Sequence, residues 1–201
     1  MKRLHEKKID DANYYDTLIW AEETNLRPYY DAVRQRALIQ FVKDGDDVVD
    51  IGAGVFGACQ YISEETEIKA NLYAYDQSNI AKKIVTEKCP EITYIVGEVE
   101  PTVDIESNRF DCVIAGEIIE HMEDPSVFVK ELARICKPGG IITLSTVDTT
   151  SENAIKHGDY PEHLWSFDPE DLVGFFSPYG DTEFSTVGDY QFIVCKKYEN
   201  S

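Results

Sequence analysis

The chain has 201 residues, 43% of them hydrophobic, enough for one core that buries roughly 70% of the surface exposed by the unfolded chain. Thirty-eight acidic side chains against 19 basic ones leave a formal charge of -19, which repels polyanions at long range and makes nucleic acid a disfavoured substrate. The five cysteines (Cys59, Cys89, Cys112, Cys136, Cys195) are odd in number and form no C-x-x-C pair, so they read as reduced core thiols of a cytoplasmic protein, and no apolar run approaches the ~18 residues of a membrane span.

Lys2, Arg3, Lys7 and Lys8 form a basic cluster that reads as a solvated tail. Residues 11–43 have a helical pattern, and the segment 1–43 is expected to be a helical lid over an acceptor site. Residues 44–201 are expected to form the main unit of what is one domain overall. Val48 to Ile51 is a strand that runs into a glycine loop, and Asn71–Asp76, Thr93–Val96 and Phe110–Ala115 are further strands. The near-continuous apolar character of the first and fourth suits strands covered on both faces, as in a parallel sheet.

Asp124-Pro125 supplies a helix cap and a first-turn proline. Phe128, Val129, Leu132, Ile135 and Cys136 then recur on one face, and Lys137-Pro138-Gly139-Gly140 stops the helix. Ile141–Val147 is a fifth strand, and Asp168-Pro169-Glu170-Asp171 opens a helix that runs to about Ser177. The C-terminal stretch predicts two strands turned at Gly188-Asp189. A hairpin forces the final strand to run antiparallel, so the expected fold is a Rossmann-like, seven-stranded, mostly parallel α/β sheet with an antiparallel C-terminal hairpin strand and helices on both faces.

Asp50-Ile51-Gly52-Ala53-Gly54-Val55-Phe56-Gly57 is a G-x-G-x-x-G loop between a strand and a helix. Alone it suits NAD, FAD or S-adenosylmethionine equally. Charge separates them. A pyrophosphate needs helix N–H groups without nearby acids, yet Asp50, Asp76, Glu98 and Glu117 lie at or just beyond the C-terminal ends of four successive strands. Such a ring repels phosphates and accommodates a sulfonium and an ammonium.

VVDIGAGVFG, LYAYDQS, YIVGEVE, FDCVIAGEIIEHMEDP and KPGGIITLSTV, spread over about half the chain, resemble in order the class I S-adenosylmethionine-dependent methyltransferases. The group that includes the ubiquinone-biosynthesis O-methyltransferases is the nearest in pattern. The resemblance implies that Gly52, Ala53 and Gly54 contact the methionine part through backbone groups, with Asp50 orienting the loop and the amino group. It implies that Asp76 takes both ribose hydroxyls, that Glu98 accepts the adenine amine in competition with Glu100, and that Gln77 and Val99 flank the adenosine.

Glu117, Glu120 and His121 fall on one face of a turn after the fourth strand. His121 and Glu117 are the candidate catalytic residues, with His121 as the base for a hydroxyl acceptor. No metal is expected. The alternative ligand set is Glu117, Glu120, His121 and His163, which resembles that of the small-RNA 2'-O-methyltransferases. Acceptor-side aromatics are expected from Tyr14, Tyr15, Trp20, Tyr29 and Tyr30, and from His157, Tyr160, His163, Trp165 and Phe167. The expected activity is methyl transfer to a small-molecule O or N acceptor. The alternatives are a metal-dependent RNA 3'-end 2'-O-methyltransferase, aminopropyl transfer, and a non-catalytic partner that keeps the fold. The oligomeric state is not legible in the sequence.

Overall fold

The computed structural model describes residues 1–4, 31–101, 103–157 and 162–200, without side-chain detail at 153, 156 and 157. In chain order the elements are β1 (Lys2–Arg3), α1 (Ala32–Ile39), β2 (Asp47–Ile51), α2 (Ala58–Glu65), β3 (Asn71–Asp76), α3 (Asn79–Lys88), β4 (Thr93–Val96), β5 (Phe110–Gly116), α4 (Pro125–Ile135), β6 (Cys136–Val147), α5 (Glu152–His157), β7 (Trp165–Ser166), α6 (Pro169–Phe176), β8 (Gly180–Val187) and β9 (Tyr190–Lys197). A 3₁₀ turn at Ile119–His121 separates β5 from α4.

Seven strands form one sheet in the order β4-β3-β2-β5-β6-β9-β8. Strands β2 to β6 are mutually parallel, and β9 runs antiparallel to both β6 and β8. This is the seven-stranded sheet with a C-terminal hairpin that the pattern predicts. Val187 pairs with Tyr190 across the turn, where Gly188 supplies the positive φ of 61°.

The apolar strands are covered on both sides. Val49, Ile51, Val113 and Ala115 face a core completed by Phe128, Val129, Leu132 and Ile135 of α4 and by Leu172 and Phe176 of α6. Val48, Cys112 and Ile114 face the other, closed by Leu38 of α1, Ala58 and Ile62 of α2, and Ala81 and Val85 of α3. The cap chemistry read from the sequence is present: the Asp124 carboxylate accepts from Ser126 N and Val127 N, and Asp168 and Asp171 form a capping box at α6. All five cysteines are buried and free. No helix among the described residues is long and apolar enough to cross a membrane.

Three local expectations change. Of the helical stretch 11–43, the described part holds one eight-residue helix, α1, capped by Asp31; residues 11–30, and with them most of the expected lid, lie outside the described residues. Strand β6 begins at Cys136 rather than Ile141. Its register slips between Phe110↔Cys136 and Cys112↔Ile141, so Lys137-Pro138-Gly139-Gly140 is a bulge inside the strand as well as the end of α4. Lys2 and Arg3 are not a solvated tail, because β1 pairs antiparallel with β7 in a separate two-stranded sheet. Lys7 and Lys8 lie outside the described residues.

Candidate functional site

A cavity of about 250 Å³ opens at the C-terminal ends of β2, β3 and β5. Asp50, Gly52, Ala53, Gly54, Asp76, Gln77, Val99, Glu117 and His121 all line it, as do Arg34, Gln35, Leu38, Phe56, Ile118 and Met122. Open α/β sheets bind their ligands in this position. The sequence pattern thus brings most of its candidate cofactor residues to one cleft.

Asp50 shapes the floor. It is 3% exposed, and its Oδ2 accepts from Ala58 N at 2.6 Å and Cys59 N at 3.4 Å, which caps α2 from beneath. Gly57 leaves room for that carboxylate: a Cβ there would collide with Asp50 Oδ2 and lie 2.6 Å from the Ala53 carbonyl oxygen. Gly52 holds φ +74°, and a Cβ there would overlap the Ile118 side chain.

Four of the loop's donors are spent on the protein itself. Gly52 N and Ala53 N donate to the Tyr75 carbonyl at 2.8 and 3.2 Å, Gly54 N donates to Asp76 Oδ2 at 3.0 Å, and Phe56 N donates to Gln60 Oε1 at 3.1 Å. With Ala58 N and Cys59 N on Asp50, six N–H groups of the loop and helix terminus are engaged within the protein, where a pyrophosphate would require such groups to face it. Asp76 also accepts from Ser78 N at 2.8 Å through Oδ1. Each carboxylate oxygen keeps acceptor capacity beyond one bond.

Glu98 does not join the ring of acids. Its side chain is exposed and does not line the cavity, while its carbonyl oxygen accepts from the Tyr75 hydroxyl at 2.9 Å. Its competitor Glu100 is committed elsewhere, accepting from Glu123 N and Asp124 N at 3.1 Å each. Val99 is the residue of this stretch that lines the cleft.

Glu117 sits just past β5 at φ +53°, a conformation that costs a non-glycine residue on the order of 1 kcal/mol. That turn swings its carboxylate onto the Ser145 hydroxyl, which donates to Oε1 at 2.9 Å. Glu120 is fully buried; Thr146 Oγ1 donates to its Oε2 at 3.0 Å, and its Oε1 has no hydrogen-bond partner among the described residues. Burial raises the pKa of both acids, and for Glu117 the neighbouring Glu120 raises it further. Burial also raises Asp50 to about 7, against the opposing N–H bonds from Ala58 and Cys59. His121 is shifted down by burial, against the pull of the Glu162 carbonyl, which holds its Nδ1 at 3.0 Å.

His121 and His163 meet edge to face, with centroids 5.0 Å apart. Ligand-type atoms of Glu120, His121 and His163 all lie within 4.8 Å of one another, so three of the four residues of the alternative metal set converge. Glu117 is outside that group. Of the expected acceptor-side aromatics, Tyr14, Tyr15, Trp20, Tyr29, Tyr30 and Tyr160 lie outside the described residues, as does the side chain of His157. Phe167 is buried in the core, and Trp165 packs against it.

Arg34 is the main residue that the sequence reading missed. It reaches the cavity from α1, stacks its guanidinium over the Tyr190 ring at 5.4 Å, and has a buried Nε without a hydrogen-bond partner among the described residues. Its positive charge lowers the pKa of Asp50, Glu117 and Glu120. Its signal in the sequence is faint, since an arginine in a short amphipathic helix reads as solvated.

The sequence of residues 49–144 matches the family model described as "Methyltransferase domain". A mitochondrial ubiquinone biosynthesis O-methyltransferase of Dictyostelium discoideum is 28% identical over 156 residues, 66% of this chain and 49% of that protein. The chain thus spans about half the length of such curated relatives. Among solved structures, a methyltransferase in complex with the Haloferax volcanii Trm112 activator has a TM-score of 0.77 at 15% identity, over 94% of this chain and 99% of its own. The phosphoethanolamine N-methyltransferase 2 of Haemonchus contortus, in complex with S-adenosylmethionine, has a TM-score of 0.73 at 18% identity, over 96% of this chain and 61% of its own. Residues 49–144 thus match a methyltransferase-domain family, and the seven-stranded fold is the one shared by these S-adenosylmethionine-dependent methyltransferase structures.

Two outcomes follow from the floor of the site. Replacing Gly57 with alanine pushes the Asp50 carboxylate off α2 and should lower unfolding free energy by about 1–3 kcal/mol, read by chemical denaturation; an unchanged midpoint would refute the tight fit. In the folded protein Asp50 keeps a proton up to about pH 7, whereas the unfolded side chain loses it near pH 4. Across that window the native state holds the extra proton, so this group's contribution to stability falls as pH rises. Asp50→Asn should therefore flatten the decline of Tm between about pH 4 and 7, with Glu117 and Glu120 leaving a residual slope of the same sign.

Proposed function

We propose that the chain transfers the methyl group of S-adenosylmethionine to an oxygen or nitrogen of a small-molecule acceptor. The observation that carries this reading is the state of the glycine loop: the N–H groups of Gly52, Ala53, Gly54 and Phe56 donate to Tyr75, Asp76 and Gln60, those of Ala58 and Cys59 donate to Asp50, and acids crowd the cleft above. Such a cleft opposes a phosphate bridge and suits a cationic nucleoside thioether.

When bound, the cofactor supplies a methyl group already activated on a sulfonium. In this reading Asp76 takes the ribose hydroxyls, and Gln77 and Val99 pack along the adenosine. Arg34 pairs with the methionine carboxylate, which would satisfy its orphaned Nε. Glu117 sits closest in role to the ammonium, with Asp50 holding the loop beneath. Since the transfer is an in-line displacement, holding the acceptor against the methyl accounts for much of the rate. His121 is the residue on the cleft wall able to take a proton from a hydroxyl. Its lowered pKa keeps it neutral at pH 7, and the Glu162 carbonyl engages Nδ1, leaving Nε2 as the basic nitrogen.

The convergence of Glu120, His121 and His163 favours a second reading, in which these side chains hold a divalent cation. A buried carboxylate oxygen with no hydrogen-bond partner among the described residues and two imidazoles form a ligand set that fits such an ion. This reading is the one compatible with an RNA 3'-end 2'-O-methyltransferase, although the charge of -19 opposes an RNA substrate.

Asp76→Ala should weaken S-adenosylhomocysteine binding about 10- to 100-fold in calorimetry, for about 1.5–3 kcal/mol, while the far-UV spectrum is unchanged. Unaltered affinity would overturn the ribose assignment. His121→Asn should lower turnover about 10²- to 10⁴-fold while sparing cofactor affinity, measured as S-adenosylhomocysteine release over a panel of phenols, amines, small acids and RNA ends. Release that persists in EDTA selects the metal-free reading, and release that needs added magnesium or manganese selects the second.

A further inference from the structure

The turn that carries Glu120 and His121 is splinted from outside by a distant segment. Glu162 O holds His121 Nδ1 at 3.0 Å, Leu164 N donates to Glu120 O at 2.8 Å, and Trp165 Nε1 donates to Met122 O at 2.8 Å. Three bonds along three successive residues of the turn leave it little freedom to rotate. The splint is itself clamped: Arg3 pairs with Trp165 in the β1–β7 ladder, Leu4 N donates to Leu164 O at 2.7 Å, and the Arg3 guanidinium lies 5.2 Å from the centre of the Trp165 ring. The same guanidinium reaches Glu123 at 2.7 Å, just beyond the turn.

The contacts close a ring from the turn through Trp165 to Arg3 and back to Glu123. An isolated exposed ion pair contributes little. Here the pair and the cation–π contact act on one indole, whose N–H is fixed on the other side by a carbonyl.

We propose that Trp165 and Arg3 are positioning residues, which hold the His121 imidazole in the Nδ1–H tautomer with Nε2 presented to the cleft. The proposal rests on the reading of His121 as the proton acceptor. The physical reason is that a ring's tautomer follows the bond made by its other nitrogen. The Glu162 carbonyl can make that bond only while residues 162–165 stay docked. Neither residue touches the cavity, so both act through His121.

The test uses full-length ¹⁵N-labelled protein in EDTA, with the His121 ring signals assigned by their loss in His121→Asn. Long-range ¹H–¹⁵N spectra should show a single Nδ1–H tautomer in the parent protein. Trp165→Phe keeps a ring for Arg3 but removes the N–H donor, and Arg3→Gln removes the stacked cation. Each should introduce the Nε2–H form, most fully in the double variant, while S-adenosylhomocysteine affinity stays within about twofold. With an acceptor found by screening, kcat should fall about 10-fold at unchanged KM for S-adenosylmethionine. An unaltered tautomer in the double variant overturns the proposal, and so does a loss of cofactor affinity that parallels the tautomer change. Absence of cofactor binding in the parent protein would instead overturn the methyltransferase reading, and leaves the tautomer result to stand by itself.

Discussion

The carboxylate of Asp50 bound to the first N–H groups of α2 is the contact on which the site depends. It joins the end of β2 to the start of the next helix across the glycine loop, and it does so in a place from which water is excluded. A helix N-terminus carries roughly half a positive charge and would attract a ligand phosphate. Here the Asp50 carboxyl group already occupies it. The loop above is left with backbone carbonyls and a bare glycine surface, and the choice of ligand passes to the acids and the arginine around the rim.

Burying several acids together is costly, and the structure distributes that cost. Asp50 is met by two backbone donors, Glu117 by the Ser145 hydroxyl and Glu120 by the Thr146 hydroxyl, while Arg34 lowers the pKa of all three through its field. The remaining imbalance appears as raised pKa values and as the left-handed backbone at Glu117. Strain and unsatisfied charge collected beside a cavity are what a binding site shows before its ligand supplies the missing partners. In the proposed reading, a cationic cofactor with a carboxylate tail would answer both sides of this field, with positive groups for the acids and a negative one for Arg34.

The acceptor side is built differently. The cofactor cleft is made by strand ends whose positions the sheet ladder enforces, whereas His121 lies on a single 3₁₀ turn with three residues and few ladder bonds of its own. A short turn gains its rigidity from what docks on it. Residues 162–165 provide that docking, and Lys2 and Arg3 secure them in turn, so the geometry of this turn draws on chain segments more than 110 positions apart. Distant pieces of this kind are where acceptor specificity is free to vary without disturbing the cofactor floor.

Much of the architecture was legible from local chemistry. The β-branched runs marked β2 to β6, Asp124-Pro125 and Asp168-Pro169 marked helix starts, and Gly188 marked the hairpin that makes the last strand antiparallel. Each is a signal spread over a few residues, because strand period, capping and turn conformation are satisfied within a few residues. The loop Gly52–Gly57 and the acids Asp50, Asp76 and Glu117 could be assigned to one cleft on the same footing, since parallel strands deliver their C-terminal ends to one edge. Tertiary structure alone decided the rest. Glu98 and Asp76 both follow strands, yet Glu98 points to solvent, and Arg34 enters the cleft from a helix with no strand end to announce it. His163 reaches His121 from 42 positions away, and Arg3 reaches Trp165 from 162. These meetings depend on how helices and loops dock on the sheet, which is set by side-chain packing across the whole core and carries no periodic trace in the sequence.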